Sequence, residues 1–290
     1  MFKKEKEGKI MYEFFKEASR DSDLACERRR ADTSLCGVEY QRDFTVIGSW
    51  ERIKITDAEG EKSIGRPIGN YDTLSLERMD LMGAEDLEDA SEEIAGELCR
   101  LLGSLSVSPS RLLVVGLGNR ELTPDSIGPR AAELVNATMQ IKEYDERAFS
   151  ALECSEIAVV NPGVSADSGL DSALLIGGIC DLIRPDAVIA IDSLAARSAE
   201  RLGRTVQLSD TGIFPGSGIG NPRGAITKET VGAPVIAIGV PTVIDARHFC
   251  GVDEVRGEAM FVSPKEINGI VKAAAKIISG GINQAFGIIV

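Results

Sequence analysis

A chain of 290 residues can bury one large core or two modest ones, and 43% hydrophobic with 27% charged residues is an ordinary globular balance. With 45 acidic against 32 basic residues and a net charge of -13, the composition disfavours a direct grip on a nucleic-acid backbone, which needs clustered Lys and Arg, and suits basic peptides better as partners. No apolar run reaches the roughly 18 residues of a membrane span, so a soluble, intracellular protein without membrane association is expected.

Met1 to Ile10 carries Lys3, Lys4, Glu5, Lys6 and Glu7 with no apolar stretch behind them, which is not a signal-peptide pattern. Up to about Asp80 the chain is charged and weakly periodic. Only Phe44–Ser49 and Arg52–Thr56 look strand-like, and this part is expected to be irregular. Leu87, Ile94, Leu98, Leu101 and Leu102 recur at helical spacing and predict a helix over Ala84–Leu102, punctuated by Gly103 and Pro109.

From Arg111 strands and helices alternate. Leu112–Gly118 is an apolar run, and Thr123-Pro124 opens a helix over Ser126–Met139. Glu156–Val160 reads as a strand ending at Asn161-Pro162-Gly163, and Gly169–Ile183 as a helix. Ala187–Ile191 and Val235–Val240 are further apolar runs. Pro264–Phe286 closes the chain as a helix, with Ser263 as N-cap and Glu266 completing a capping box. Continuous apolar strands between helices imply an α/β fold, a largely parallel sheet flanked by helices.

The motifs exclude most catalytic chemistries. The single histidine, His248, would have to serve any Ser-His or Cys-His mechanism, and no Ser sits in a G-x-S-x-G turn. The six cysteines form no C-x-x-C pair and are expected to be buried free thiols. With no H-E-x-x-H, no metal or other cofactor is expected. Gly116-Leu117-Gly118-Asn119 lacks the third glycine of a dinucleotide loop, where Glu121 stands. Gly216-Ser217-Gly218-Ile219-Gly220 lacks the Lys of a phosphate-binding loop.

Carboxylates remain. Asp125 follows Thr123-Pro124 and is expected in a first helical turn, where it would either complement the helix dipole or do chemistry. Asp192 is the first charge after an apolar parallel strand, the usual ligand-binding edge of an α/β sheet, although it could instead cap a following helix. If both meet over that edge, Asp125 near a helix N-terminus would ionise more readily than a part-buried Asp192. Such a split sets up a base and an acid. Asp210-Thr211-Gly212 matches the triplet of pepsin-like enzymes, but those are all-β and need two triplets; Asp210 is a candidate for lining the site, as are Asn119 and Ser217.

Gly116–Asn119 with Thr123-Pro124-Asp125, AVIAIDSLAAR at Ala187–Arg197, Gln207–Ile213 with Pro215–Gly218, Lys228-Glu229-Thr230, PVIAIGVPTVIDA at Pro234–Ala246 and Pro264–Ile267 together resemble the spore germination protease family, over about Asp21 to Phe286. The resemblance implies an endopeptidase that degrades small acid-soluble spore proteins in the cytoplasm of the forespore and spore core. It implies a fold similar to hydrogenase maturation proteases, no metal, a homotetramer, and a zymogen that removes its own N-terminal propeptide. On that basis residues 1–18 are the expected propeptide and 19–290 a single peptidase domain. Asp23-Leu24-Ala25-Cys26-Glu27 resembles the start of the family's mature chain, and Asp125 and Asp192 match its proposed catalytic aspartates. Arg120 stands where an aromatic is expected, and Asn221-Pro222-Arg223-Gly224 replaces a more basic stretch. Phe214 stands in place of a His, which argues against a histidine role. Two alternatives remain: a protease pairing Asp192 or Asp210 with a Ser or Thr hydroxyl, and a non-catalytic nucleotide- or small-molecule-binding protein using the Gly loops.

Overall fold

A computed structural model describes residues 22–28, 35–216, 224–247 and 260–287. One sheet organises them. Its strands are β1 (Val38–Phe44), β2 (Gly48–Ile55), β3 (Gly69–Leu76), β4 (Arg111–Gly116), β5 (Glu156–Val160), β6 (Ala187–Ala196), β7 (Thr205–Ser209), β8 (Val235–Asp245) and β9 (Phe261–Val262). The spatial order is β1-β2-β3-β7-β8-β6-β4-β5, with β9 paired to the far end of β8. The main helices are α1 (Ala58–Ile64), α2 (Ala84–Ser104), α3 (Ile127–Ala132), α4 (Ser172–Ile183) and α5 (Ile267–Phe286).

The apolar runs form the parallel half, β5-β4-β6-β8, as expected. Their continuity follows from burial on both faces. Val114, Ile189, Ile191, Ile236 and Ile238 join one core with α2 and α5. Val115, Val188, Ala190, Val235 and Ala237 join the other with Ile176 and Cys180 of α4.

The sheet is mixed rather than largely parallel. β7 runs antiparallel to β8, and β1, β2 and β3 extend it as an antiparallel meander, so the segment before Asp80 is regular structure. Its strands were hard to read because β1 is exposed on nearly every residue and carries charges on both faces. The expected strand at Phe44–Ser49 is split by the hairpin turn at residues 45–47, whose Val46 is 97% exposed.

Helix ends also differ. α3 stops at Ala132. The chain then turns so that Asn136 N–H donates to Asn283 Oδ1 (2.9 Å) and Thr138 N–H to the Ile157 carbonyl (2.9 Å), before a separate short helix at Met139–Tyr144. α4 begins at Ser172, where the Asp171 side chain accepts from Ala173 N–H, rather than at Gly169. α5 begins at Ile267 with no side-chain cap, and Glu266 pairs with Arg78 (3.3 Å) instead of closing a capping box.

The five described cysteines are free, but only Cys26 and Cys180 are buried; Cys36 and Cys99 are exposed and Cys154 lies between. Burial pushes the Cys26 and Cys180 thiols up to about 11, the opposite of what a thiolate nucleophile needs. Among the described residues no helix is long and apolar enough to cross a membrane.

Candidate active site

Gly116, the last residue of β4, lies opposite Ile191 of β6, and the next residue, Leu117, donates its N–H to the Ile191 carbonyl (2.8 Å). That bond stitches the loop after β4 to β6 one residue short of Asp192. The loop then folds back on itself. Gly118 has φ +111°, and a Cβ there would stand 2.1 Å from the Asp125 carbonyl. The Asp125 carboxylate closes the loop by accepting the Asn119 N–H (2.9 Å), while the Asn119 side chain accepts from Glu121 N–H (2.9 Å).

Asp125 does not sit in the first turn of an α-helix. Thr123–Asp125 is a 3₁₀ turn without a side-chain cap, and α3 starts two residues later. Gly128 of α3 presses on the same junction: a Cβ there would lie 2.2 Å from the Leu117 carbonyl and 2.4 Å from that of Ile191.

Asp192 is not at a strand end and caps no helix. β6 continues to Ala196, pairing with β8 throughout, and Asp192 lies opposite Gly239. It is 5% exposed, and its Oδ1 accepts the Ser193 N–H (2.8 Å).

Asp125, Asp192 and Asn119 line one cleft of about 690 Å³. Ser193, Ser165 and Ser172 are also in its wall, and Gly216 stands at its edge. Asp210 is not part of it. Its carboxylate accepts the Asn70 backbone N–H (2.7 Å) and side-chain amide (2.5 Å), tying the start of β3 to the end of β7. Ser217, most of the second Gly loop, His248 and the expected propeptide lie outside the described residues. Among the described residues, no three His, Cys, Asp or Glu side chains are grouped as a metal site.

One residue of the cleft and one behind it, Asp23 and Arg66, escaped sequence reasoning. Asp23 lines the same cleft, held by its N–H on the Ala195 carbonyl (2.9 Å) and by its Oδ2 accepting the Ala195 N–H (2.9 Å). Its segment, Ser22–Arg28, is docked along its length: Ala25 N–H donates to Gln207 Oε1 (2.8 Å), Glu27 accepts from Arg197 and Ser198 N–H, and Leu24 and Ala25 are fully buried. Arg66 is 7% exposed, with its guanidinium 3.5 Å from Asp23. The only signal for Asp23 was the likeness of Asp23–Glu27 to a mature-chain start. Arg66, between Gly65 and Pro67, carried none.

Asp23, Asp125 and Asp192 line one cleft of a mixed α/β sheet, and comparison with known families places the chain among the peptidases. Residues 21–255 match the family model of the germination protease. The chain is 36% identical over 305 residues to the germination protease of Caldanaerobacter subterraneus subsp. tengcongensis, covering 91% of this chain and 93% of that one. It is 33% identical to that of Clostridium acetobutylicum (80% and 83% covered) and 44% identical over 191 residues to that of Oceanobacillus iheyensis (66% and 52% covered). The chain belongs to the germination protease family. Among solved structures, a [NiFe] hydrogenase maturation protease HycI from Thermococcus kodakarensis aligns with TM-score 0.34 and 19% identity, over 61% of this chain and 96% of that one.

Proposed function

We propose that this protease is an endopeptidase that degrades small acid-soluble spore proteins, with Asp125 and Asp192 activating water as a pair. The observation that carries this reading is that both carboxylates, found from separate motifs, line one cleft. One takes a proton from water as it attacks the peptide carbonyl, and the other donates a proton to the departing amide nitrogen. Their titration then belongs to the pair. The nucleotide alternative loses its support at the first Gly loop, because the Asp125 carboxylate already occupies the Asn119 N–H that a phosphate would need. The hydroxyl alternative has several candidates in the cleft wall, of which Ser193 adjoins Asp192 in the chain.

The family resemblance extends the reading to a homotetramer in the forespore and spore core, made as a zymogen that removes about residues 1–18 itself. The docked Ser22–Arg28 segment supports this, since the hydrogen bonds described for it reach Ala195, Arg197, Ser198 and Gln207, all downstream of such a cut. Purified chain held at mildly acidic pH is expected to shorten at its N-terminus and then to cleave an added small acid-soluble spore protein, both followed by mass spectrometry. Asp192→Asn protein is expected to do neither. Equal trimming in both would show that the cut is made by something else.

Activity is expected to survive chelation. Treatment with EDTA should leave kcat/KM within about twofold, since a metal mechanism would instead lose the several kcal/mol that a bound ion supplies to the transition state. Inhibition reversed by added zinc or manganese would overturn the metal-free mechanism.

A further inference from the structure

β4 ends opposite Ile191, whereas β6 continues to Ala196, so among the described residues the edge of β6 beyond Ile191 has no strand beside it. Successive residues of a strand turn their N–H and C=O groups to opposite sides. Val188 donates to the Pro234 carbonyl on the β8 side (2.8 Å), and Ile191 accepts from Leu117 on the β4 side (2.8 Å). Ser193 and Ala195 therefore turn their backbone groups the same way as Ile191, onto the open edge.

The N-terminal segment already takes up the far part of that edge. Asp23 acts as an added rung: its N–H donates to the Ala195 carbonyl (2.9 Å) and its Oδ2 accepts the Ala195 N–H (2.9 Å). Glu27 then accepts the Arg197 N–H (2.7 Å). Ser193 lies between this cover and the Leu117–Ile191 bond. Its N–H is taken by Asp192 Oδ1 (2.8 Å), and its Oγ is buried without a hydrogen-bond partner. Among the described residues its carbonyl accepts no hydrogen bond. A half-buried carbonyl on a strand edge is ordinarily paired, so this one calls for a donor. Leu117, Ser193, Ala195 and Asp23 all line the cleft, so the gap opens into it.

We propose that the Ser193 carbonyl binds the main chain of the substrate, accepting one backbone N–H of the peptide as a strand added to the open edge of β6. Extended peptides bind exposed strand edges in this way, with main-chain hydrogen bonds supplying the grip. Asp23 shows that this edge takes such a rung at the next position along. The slot is short. Residues two apart on a strand are separated by about 6.6 Å, so Leu117 and Asp23 leave room for a single rung between them. A peptide pinned there lies beside Asp192, the residue before Ser193. The contact is to backbone, so it orients peptides of different sequence alike.

The proposal rests on the cleft being the active site, as read above, and a backbone scan of the substrate tests it. The probe is a synthetic peptide copied from a small acid-soluble spore protein across its cleaved bond, with each backbone N–H except the scissile one replaced in turn by an ester oxygen. One position within about two residues of the scissile bond is expected to lose about tenfold in kcat/KM, the worth of one hydrogen bond whose acceptor is left unpaired. Ser193→Ala is expected to keep the same sensitive position, because the carbonyl stays when the hydroxyl goes. A crystal structure with the peptide whose scissile amide is reduced to an amine should place the nitrogen of that position within about 3.2 Å of the Ser193 carbonyl oxygen. A flat ester scan overturns the proposal. So does a sensitive position that disappears in Ser193→Ala, which assigns the contact to the hydroxyl, or one whose N–H is held by another oxygen in the crystal. Asp192→Asn separates the two ideas: a variant that still cleaves overturns the aspartate pair, whereas an inactive variant together with a flat scan overturns strand addition alone.

Discussion

Asp192→Asn is expected to lower kcat about 10³-fold, within the range that positioned acid–base groups supply, while the protein stays folded. The substitution keeps shape. The amide oxygen of Asn can accept the Ser193 N–H that Asp192 Oδ1 accepts now, and the strand pairing with β8 involves only backbone. What is lost is a group able to take or give a proton. Initial rates on a peptide substrate, with a thermal melt of the same preparation, measure both halves. A variant that cleaves within about fivefold of wild type would remove Asp192 from the chemistry, since that loss is far below the acid–base contribution. Asp125→Asn should behave similarly in rate. It also weakens the acceptor of the Asn119 N–H, so some loosening of the loop after β4 is expected alongside.

Gly128→Ala is expected to be the most damaging small substitution near the site. The added methyl would lie 2.2 Å from the Leu117 carbonyl and 2.6 Å from its nitrogen, and 2.4 Å from the carbonyl of Ile191. All three are backbone atoms and cannot swing aside. The Leu117–Ile191 hydrogen bond must open, which moves the loop that carries Asp125 away from Asp192. Overpacking of this kind costs about 3 kcal/mol, and activity should fall further than stability because the two carboxylates lose their alignment. Gly178→Ala is the matched control. It lies in α4 with no atom within 4 Å of the added methyl, so it should stabilise the protein by about 0.5–1 kcal/mol and leave turnover alone. Denaturant melts and kcat/KM on both variants check this. If Gly128→Ala melts and cleaves like wild type, α3 does not hold the Asp125 loop.

The parallel half of the sheet was legible because β4, β6 and β8 are buried on both faces, which writes unbroken apolar runs into the chain. Asp192 was legible for the same reason, as the charge that interrupts such a run. That β6 continues past it was not, because Ser193-Leu194-Ala195-Ala196 is as acceptable in a helix as in a strand. Only pairing with β8, more than 40 residues downstream, makes it extended. The antiparallel meander was obscured by charge on its exposed faces. The triplet at Asp210 is a local match, set aside in the sequence, whose carboxylate accepts from Asn70, 140 residues away. Asp23 reaches the cleft, and Arg66 reaches Asp23, through contacts that no local pattern encodes.

Those contacts have a consequence for the order of assembly. The hydrogen bonds that dock Ser22–Arg28 reach 170 to 184 residues along the chain, to Ala195, Arg197, Ser198 and Gln207. Ribosomes add about 5–20 residues per second, so the segment waits about 10 to 40 s after emerging before its docking partners exist. Throughout that interval the wall that Asp23 contributes cannot be built. The cleft wall that Asp23 supplies therefore stays unbuilt until translation has passed Gln207, the last of these docking partners.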